Sequence, residues 1–250
     1  MPPVTASQRQ RFPREVHPEW LDALPGQDPR ARRSRADLRR INRVMGALGI
    51  LRTALDGMFA GSDAPTHLVE LGAGDGTLMA RLAQQRALHW PRLKLSLLDR
   101  QPAIAPATQA GIARLGWTVD VVCADAFAWL DTAPAQKREI IVANLFVHHF
   151  ENARIRTLFA GIAARAMAFV CCEPRRSQIS LFGSRCLGAL GCNDVTRHDA
   201  VASVHAGFRG HELSAHWPEA SNWTTHESSA GLFLQRFIAC RGARADARRA

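Results

Sequence analysis

The sequence predicts an α/β domain: a doubly wound, mostly parallel seven-stranded sheet that ends in an antiparallel C-terminal hairpin, with a helical cap in front of it. Three observations lead there. Strand and helix signals alternate five times between residues 67 and 173, and strands joined through crossover helices run parallel, with helices on both faces. Two β-rich runs at 223–229 and 232–240 are separated only by Ala230-Gly231, which is too short for a crossover, so that pair is antiparallel. A row of apolar residues at helical spacing precedes the first strand.

Taken in order, residues 1–33 are rich in Pro and Arg, with Trp20, Leu21 and Leu24 as an apolar knot. They read as a basic arm holding at most one short helix. The cap, 34–62, follows: Leu38, Ile41, Val44, Met45, Leu48, Leu51 and Leu55 recur at steps of three and four, the spacing of one helix face, with Ser34 as N-cap. The main domain spans 63–240. Its strands are expected at 67–71, 93–99, 117–124, 138–146 and 167–173, with helices over 76–88, 102–115, 127–130 and 153–166. A further helix is expected over 179–190, then a Gly- and His-containing stretch over 191–211, then the hairpin and a basic tail at 241–250.

Composition narrows the function classes. At 250 residues, 47% hydrophobic and 22% charged, the chain suits one globular domain. The net charge of +10 sits at the ends: residues 1–43 carry +5, 241–250 carry +3, and the body between them +2. That distribution does not describe a nucleic-acid-binding face, although basic ends can dock phosphate or anionic lipid. The six cysteines form no CxxC pair, so neither a metal site nor a disulfide framework is signalled. The first residues lack a secretory apolar region and no run approaches a membrane span, so the expectation is a cytoplasmic protein. A homodimer is one option for its assembly, on which the sequence says nothing.

The chemistry concentrates at strand ends. Glu70-Leu71-Gly72-Ala73-Gly74-Asp75-Gly76 lies where the first strand turns into a helix, and its glycines permit a tight turn and close approach to a ligand. A pyrophosphate on that helix N-terminus wants bare amides and no anion nearby, which Asp75 opposes; a cationic, phosphate-free ligand is compatible with both acids. Asp99 closes the second strand, where an acid can accept both hydroxyls of a ribose, and Asp125 closes the third.

Over about residues 67–240 the chain resembles the class I methyltransferases that use S-adenosylmethionine (SAM), whose sheet is Rossmann-like. The segments ELGAGDG, LLDR and CADAF carry the resemblance. It implies SAM as cofactor, with S-adenosylhomocysteine (SAH) as product. Glu70, Gly72, Ala73, Gly74, Asp75 and Gly76 would surround the methionine part, and Asp99, with Arg100 beside it, the ribose. Asp125 and Ala126 would meet adenine, and Asn144 and Leu145 would stand near the sulfonium. The helix at 34–56 looks like the cap that closes over SAM, with Arg43 or Asn42 facing the cofactor carboxylate.

NLFVHHF, a helix, then EPRRS is similar to small-molecule methyltransferases of quinone and polyketide pathways. The implied reaction is in-line transfer to oxygen or carbon of a small aromatic or apolar acceptor. Asn144-Leu145-Phe146-Val147 departs from the Asn/Asp-Pro-Pro-aromatic signature for amino groups of bases and proteins, so nucleic acid is not the expected substrate. If the acceptor must lose a proton, the candidate bases are His148, His149 and Glu173. Two adjacent His cannot share one pocket if the segment is extended, and Glu173, before Pro174, has the alternative of capping the turn. His198 and His205 fall in the region that commonly forms the substrate lid in this superfamily, with a surface position as the alternative, while Arg175 and Arg176 read as facing solvent, with an acidic substrate as the alternative. The competing readings are an RNA or protein methyltransferase docking through its basic termini, a non-catalytic SAM-binding subunit, and an NAD-dependent oxidoreductase.

Overall fold

A computed structural model describes residues 12–59, 64–132, 138–219 and 222–242. The outer parts of the basic arm and of the basic tail lie outside these residues. The seven strands form one sheet in the order β3-β2-β1-β4-β5-β7-β6: β1 His67–Leu71, β2 Lys94–Asp99, β3 Thr118–Cys123, β4 Glu139–Asn144, β5 Ala168–Pro174, β6 Trp223–Ala230 and β7 Leu234–Arg241. The first five are parallel; β7 runs antiparallel to β5 and β6 antiparallel to β7. The chain grows outward from β1 to β3, then returns to place β4 on the other side of β1. That reversal opens a crevice beyond the carboxyl ends of β1 and β4, the place where open α/β sheets bind ligands.

Alternation along the central strands supplies both cores. Val69, Leu71, Ile141 and Ala143 face Ile155, Phe159 and Ile162 of α7 (Asn152–Arg165), while Leu68, Ile140 and Val142 face Leu51 and Leu55 of α3 (Ala47–Asp56) and Met79 and Leu82 of α4 (Thr77–Arg86). Between them come α5 (Pro106–Ala113) and α6 (Ala126–Thr132).

One buried charge cluster ties the far end of the sheet together. Glu139, fully buried at the start of β4, takes hydrogen bonds from Arg165 at 2.7 and 3.3 Å, and His67 Nδ1 lies 2.9 Å away. Burial raises this carboxylate's pKa, but His67 and Arg165 outweigh it and hold the group below its usual range. Removing one member of a buried ion pair typically costs about 3–5 kcal/mol. Glu139→Ala is therefore expected to lower stability by about that much in denaturant titration, and a loss under about 1 kcal/mol would contradict the ion-pair account.

The N-terminal region differs from the expectation in two places. Helix α2 (Pro29–Met45) begins ahead of Ser34, with Asp28 as its cap, accepting from the Arg30 amide at 2.7 Å. Asp before Pro is a strong start signal that the surrounding Arg run masks. Ser34 is instead buried and accepts a hydrogen bond from Thr196 at 3.0 Å. The apolar row also does not form one helix: α2 (Pro29–Met45) ends at Gly46, whose φ of +73° breaks the chain before α3. Residues 12–24 are strapped to the body. The Arg14 guanidinium donates to the carbonyls of Ala206 and Phe150 at 2.8 Å and of His148 at 3.1 Å. The short α1 (Trp20–Ala23) presents its Trp20 and Leu21 amides to Asp199 at 2.8 and 2.9 Å.

The late stretch 191–211 holds a helix missing from the expectation, α9 (Asp194–Ala206), capped by Asn193, which accepts from the Thr196 amide at 2.9 Å. It follows α8 (Gln178–Arg185) and packs against α1 and α2.

Candidate functional site

A cavity of about 800 Å³ occupies the crevice, bounded by the loop after β1, the ends of β2, β3 and β4, helix α2 and residues of the N-terminal strap. Gly72, Gly74 and Gly76 have φ of +70°, +56° and +71°, a region costly for residues with a Cβ. Gly72 has a second reason to be glycine, because a Cβ there would overlap the Phe146 ring.

The predicted strand-end acids all line this cavity. Asp99 accepts from the Gly74 and Gln101 amides at 2.8 Å each, so it fastens the glycine loop to β2. Asp125 caps α6 through Oδ1, accepting from Phe127 at 2.9 Å and Ala128 at 3.2 Å, with Ala126 buried beside it. Glu70 is the unusual one. It is 2% exposed, and among the described residues its Oε2 has no hydrogen-bond partner. Burial, then the charges of Asp75 and Asp99, push its carboxyl well above the ordinary range. The Oδ1 atoms of Asn42 and Asn144, on the same cavity, also have no partner among the described residues. Three buried acceptors around one cavity call for a donor-rich, positively charged ligand, since buried polar atoms are rarely left unpaired.

Asp75 lies in the cavity wall too, but Arg39 answers its charge at 2.6 Å, and its other oxygen accepts from the Thr77 amide at 3.0 Å. The case against a pyrophosphate therefore passes from the Asp75 charge to the unpartnered oxygens of Glu70, Asn42 and Asn144, which need a donor that a phosphate does not supply. Arg35, Arg39 and Arg43 stand four residues apart on the α2 face that borders the cavity. Arg35 donates to Gln101 at 2.6 Å, and Arg100 lies 3.6 Å from Asp22. Ala73 is buried in the wall. Leu145 holds a φ of +53°, a conformation that costs a non-glycine residue about 1–3 kcal/mol and gathers at functional sites. Its amide is fixed to the Cys172 carbonyl at 2.9 Å.

At the other end of the cavity the two histidines meet. Val147–His149 form a single 3-10 turn, not an extended segment, and this corrects the expectation that only one ring could face the pocket. Both His148 and His149 line it, their rings 4.3 Å apart and tilted by 33°. Glu173 builds the turn: it accepts from the amides of Phe146, Val147 and His148 at 3.1, 2.9 and 3.2 Å, and from His148 Nδ1 at 2.8 Å. Fully buried and committed to these bonds, Glu173 is a positioning residue and not a base reaching substrate.

His148 Nε2 lies 3.3 Å from Glu19, which also accepts from Ser203 at 2.5 Å. Burial lowers the His148 pKa, yet its bonds to Glu173 and Glu19 prevail and raise it to about 9. For Glu19, burial raises the pKa, and the His148 bond with the neighbouring imidazole charges brings it down to about 2. Burial and the His148 charge lower that of His149.

Several expectations are corrected here. His198 stacks on Trp20 at 4.0 Å, and His205 packs edge-on against Phe12 at 5.2 Å; neither lines the cavity. Arg176 is buried, not solvent-facing, and donates to Phe12, Gly207 and Glu212. Cys171 and Cys172 are buried with raised thiol pKa values, which suits packing and not nucleophilic attack. The sequence reading missed Glu19, Asp22 and Arg39. A signal existed in PEWLDA, where two acids flank the one apolar knot of a Pro- and Arg-rich segment.

No protein-family model matches the sequence, and a search among curated proteins finds no match. Solved structures do match. The plantazolicin methyltransferase BpumL in complex with SAH is 12% identical at a TM-score of 0.61, covering 86% of this chain and 91% of that one. The plantazolicin methyltransferase BamL, with SAH and a triazolic desmethylplantazolicin analog, is 13% identical at 0.61, covering 88% and 92%. A structure described for conversion of a disulfide bond into a thioacetal group during echinomycin biosynthesis is 15% identical at 0.51, covering 79% and 82%. The chain has the fold of these proteins.

Proposed function

We propose that this protein transfers a methyl group from SAM to a small aromatic or apolar acceptor bound in the same cavity. The observation that carries the reading is the buried Glu70 carboxyl, whose Oε2 has no hydrogen-bond partner among the described residues, on the same cavity as the likewise unpartnered Oδ1 atoms of Asn42 and Asn144. A cationic amino group supplies what these oxygens lack, and a phosphate adds a further anion.

When bound, SAM supplies a methyl carbon made electrophilic by its sulfonium. The chain's part is to hold and orient. Glu70 and the loop Gly72–Gly76 take the methionine end, with Arg43 toward its carboxylate and Asp99 accepting from the ribose hydroxyls. Asp125 and Ala126 take the adenine, and Asn144 with the strained Leu145 frames the reacting end. Holding an acceptor in line with the methyl removes much of the entropic barrier to displacement. Some 800 Å³ is at the upper end of what one drug-sized ligand occupies, which leaves room for an acceptor beside the nucleoside. At the acceptor end His149, kept neutral by burial and the neighbouring His148 charge, is the group able to take a proton, with Glu19 and His148 beside it, which favours a hydroxyl as the methylated group.

Docking of RNA through basic segments is less well supported, because four of the α2 arginines are engaged with groups of this chain. Arg33 and Arg40 pair with Asp37, Arg39 with Asp75, and Arg35 bonds Gln101.

The test is incubation with methyl-labelled SAM and a panel of phenols and apolar alcohols. Label transfer to at least one of them is expected, with none to RNA. Transfer to RNA alone would overturn the acceptor assignment.

A further inference from the structure

We propose that Glu19, His148 and His149 form a binding site for a divalent transition-metal cation at the acceptor end of the cavity. The residues are separated by 129 positions in the chain, and the strap carrying Glu19 is what joins them. Each offers a ligand atom, and the three atoms lie within 4.8 Å of one another. Glu19 Oε1 is 3.3 Å from His148 Nε2, and Oε2 is 3.9 Å from His149 Nε2. Ligands about 2.1 Å from a shared ion at tetrahedral or octahedral angles are roughly 3.0–3.4 Å apart. The first separation meets that value; the second, from the other oxygen of Glu19, exceeds it by about half an ångström, and a bound ion would draw the three ligand atoms closer than 4.8 Å.

A second, independent observation is what stands behind the two imidazoles. Glu173 lies 2.8 Å from His148 Nδ1, and Asp22 lies 3.7 Å from His149 Nδ1. A carboxylate only accepts, so both His148 nitrogens carry a proton, Nδ1 toward Glu173 and Nε2 toward Glu19, and a cation at Nε2 takes the place of that second proton. A carboxylate hydrogen-bonded to the remote nitrogen is the arrangement that fixes a metal-binding imidazole; His148 has it in Glu173, while Asp22 stands beside His149 Nδ1 at ion-pair distance. Three carboxylates thus surround two rings, with the His148 proton and Arg100, 3.6 Å from Asp22, as offsets. That excess of negative charge is what a dication neutralises.

Two imidazole nitrogens and one carboxylate suit Zn²⁺, Fe²⁺ or Mn²⁺ and leave coordination positions open toward the cavity, whereas Mg²⁺ and Ca²⁺ prefer all-oxygen sets. The site stands on its own geometry, but its role rests on the methyl-transfer reading. A cation there would polarise a hydroxyl of the acceptor and lower its pKa, so the acceptor class narrows to phenols and enols.

The experiment is titration of chelator-treated, full-length protein with Co²⁺ in the absence of SAM and acceptor, followed in the visible spectrum and by metal analysis, with Zn²⁺ as competitor. One equivalent bound with nitrogen and oxygen ligation is expected. His149→Ala and Glu19→Gln should weaken it 100-fold or more, Glu173→Gln roughly 10- to 100-fold, and exposed His89→Ala not at all, thermal melts confirming that each variant is folded. Failure to retain the ion, a thiolate band placing it on Cys123 or Cys186, or unchanged binding in both His149→Ala and Glu19→Gln overturns the proposal. Metal binding without methyl transfer would leave the site standing and fail only the enzymatic reading, so the two are separable.

Discussion

Asp99→Ala is expected to weaken binding of SAM and SAH by roughly 30- to 1,000-fold. Hydrogen bonds to a charged group contribute about 1.5–3 kcal/mol each, and the proposed pose gives Asp99 two ribose hydroxyls, so a loss of about 2–4 kcal/mol follows even if part is recovered by water. The same carboxylate holds the Gly74 and Gln101 amides, so the variant also loosens the loop that approaches the ligand. Both effects act on affinity. Asp99→Asn, which keeps shape but replaces one acceptor oxygen with a donor, should fall between wild type and Ala. Calorimetric titration with SAH measures this, and equal affinity in wild type and Asp99→Ala would remove Asp99 from the ribose site.

His149→Ala should separate catalysis from binding. The ring lies at the acceptor end of the cavity and the nucleoside residues at the other, so SAH affinity should stay within about two-fold while turnover falls by roughly 10²–10⁴, the range for losing a group that assists proton removal. A variant with unchanged turnover would show that the histidine pair packs the turn and nothing more. A rise in the dissociation constant matched by an equal fall in turnover would place His149 against the cofactor.

Most of the sheet was legible because each central strand alternates or runs apolar between turn signals, and because the hairpin's connection is too short to be anything else. The glycine loop and the acids at 70, 99 and 125 were legible for a related reason: they occupy strand ends, and strand ends in this architecture share one rim. What the sequence did not expose depends on contacts between distant segments. Glu19 sits in a segment that composition alone reads as a loose arm, and only the capture of α1 by Asp199 and of Arg14 by three carbonyls places it against His148. The bend that turns both histidines inward comes from Glu173 gathering three successive amides, which no local pattern announces. Asp75 shows the reverse case. Its charge was legible, but its neutralisation by Arg39 from α2 was not.

The claim on which the rest depends is that the rim of β1–β3 holds a cationic nucleoside without phosphate. Titrating the protein with SAH, SAM and NAD under one set of conditions tests it most directly. The account predicts one equivalent of SAH or SAM bound and no heat from NAD, whereas saturable NAD binding with no response to SAM or SAH would contradict it.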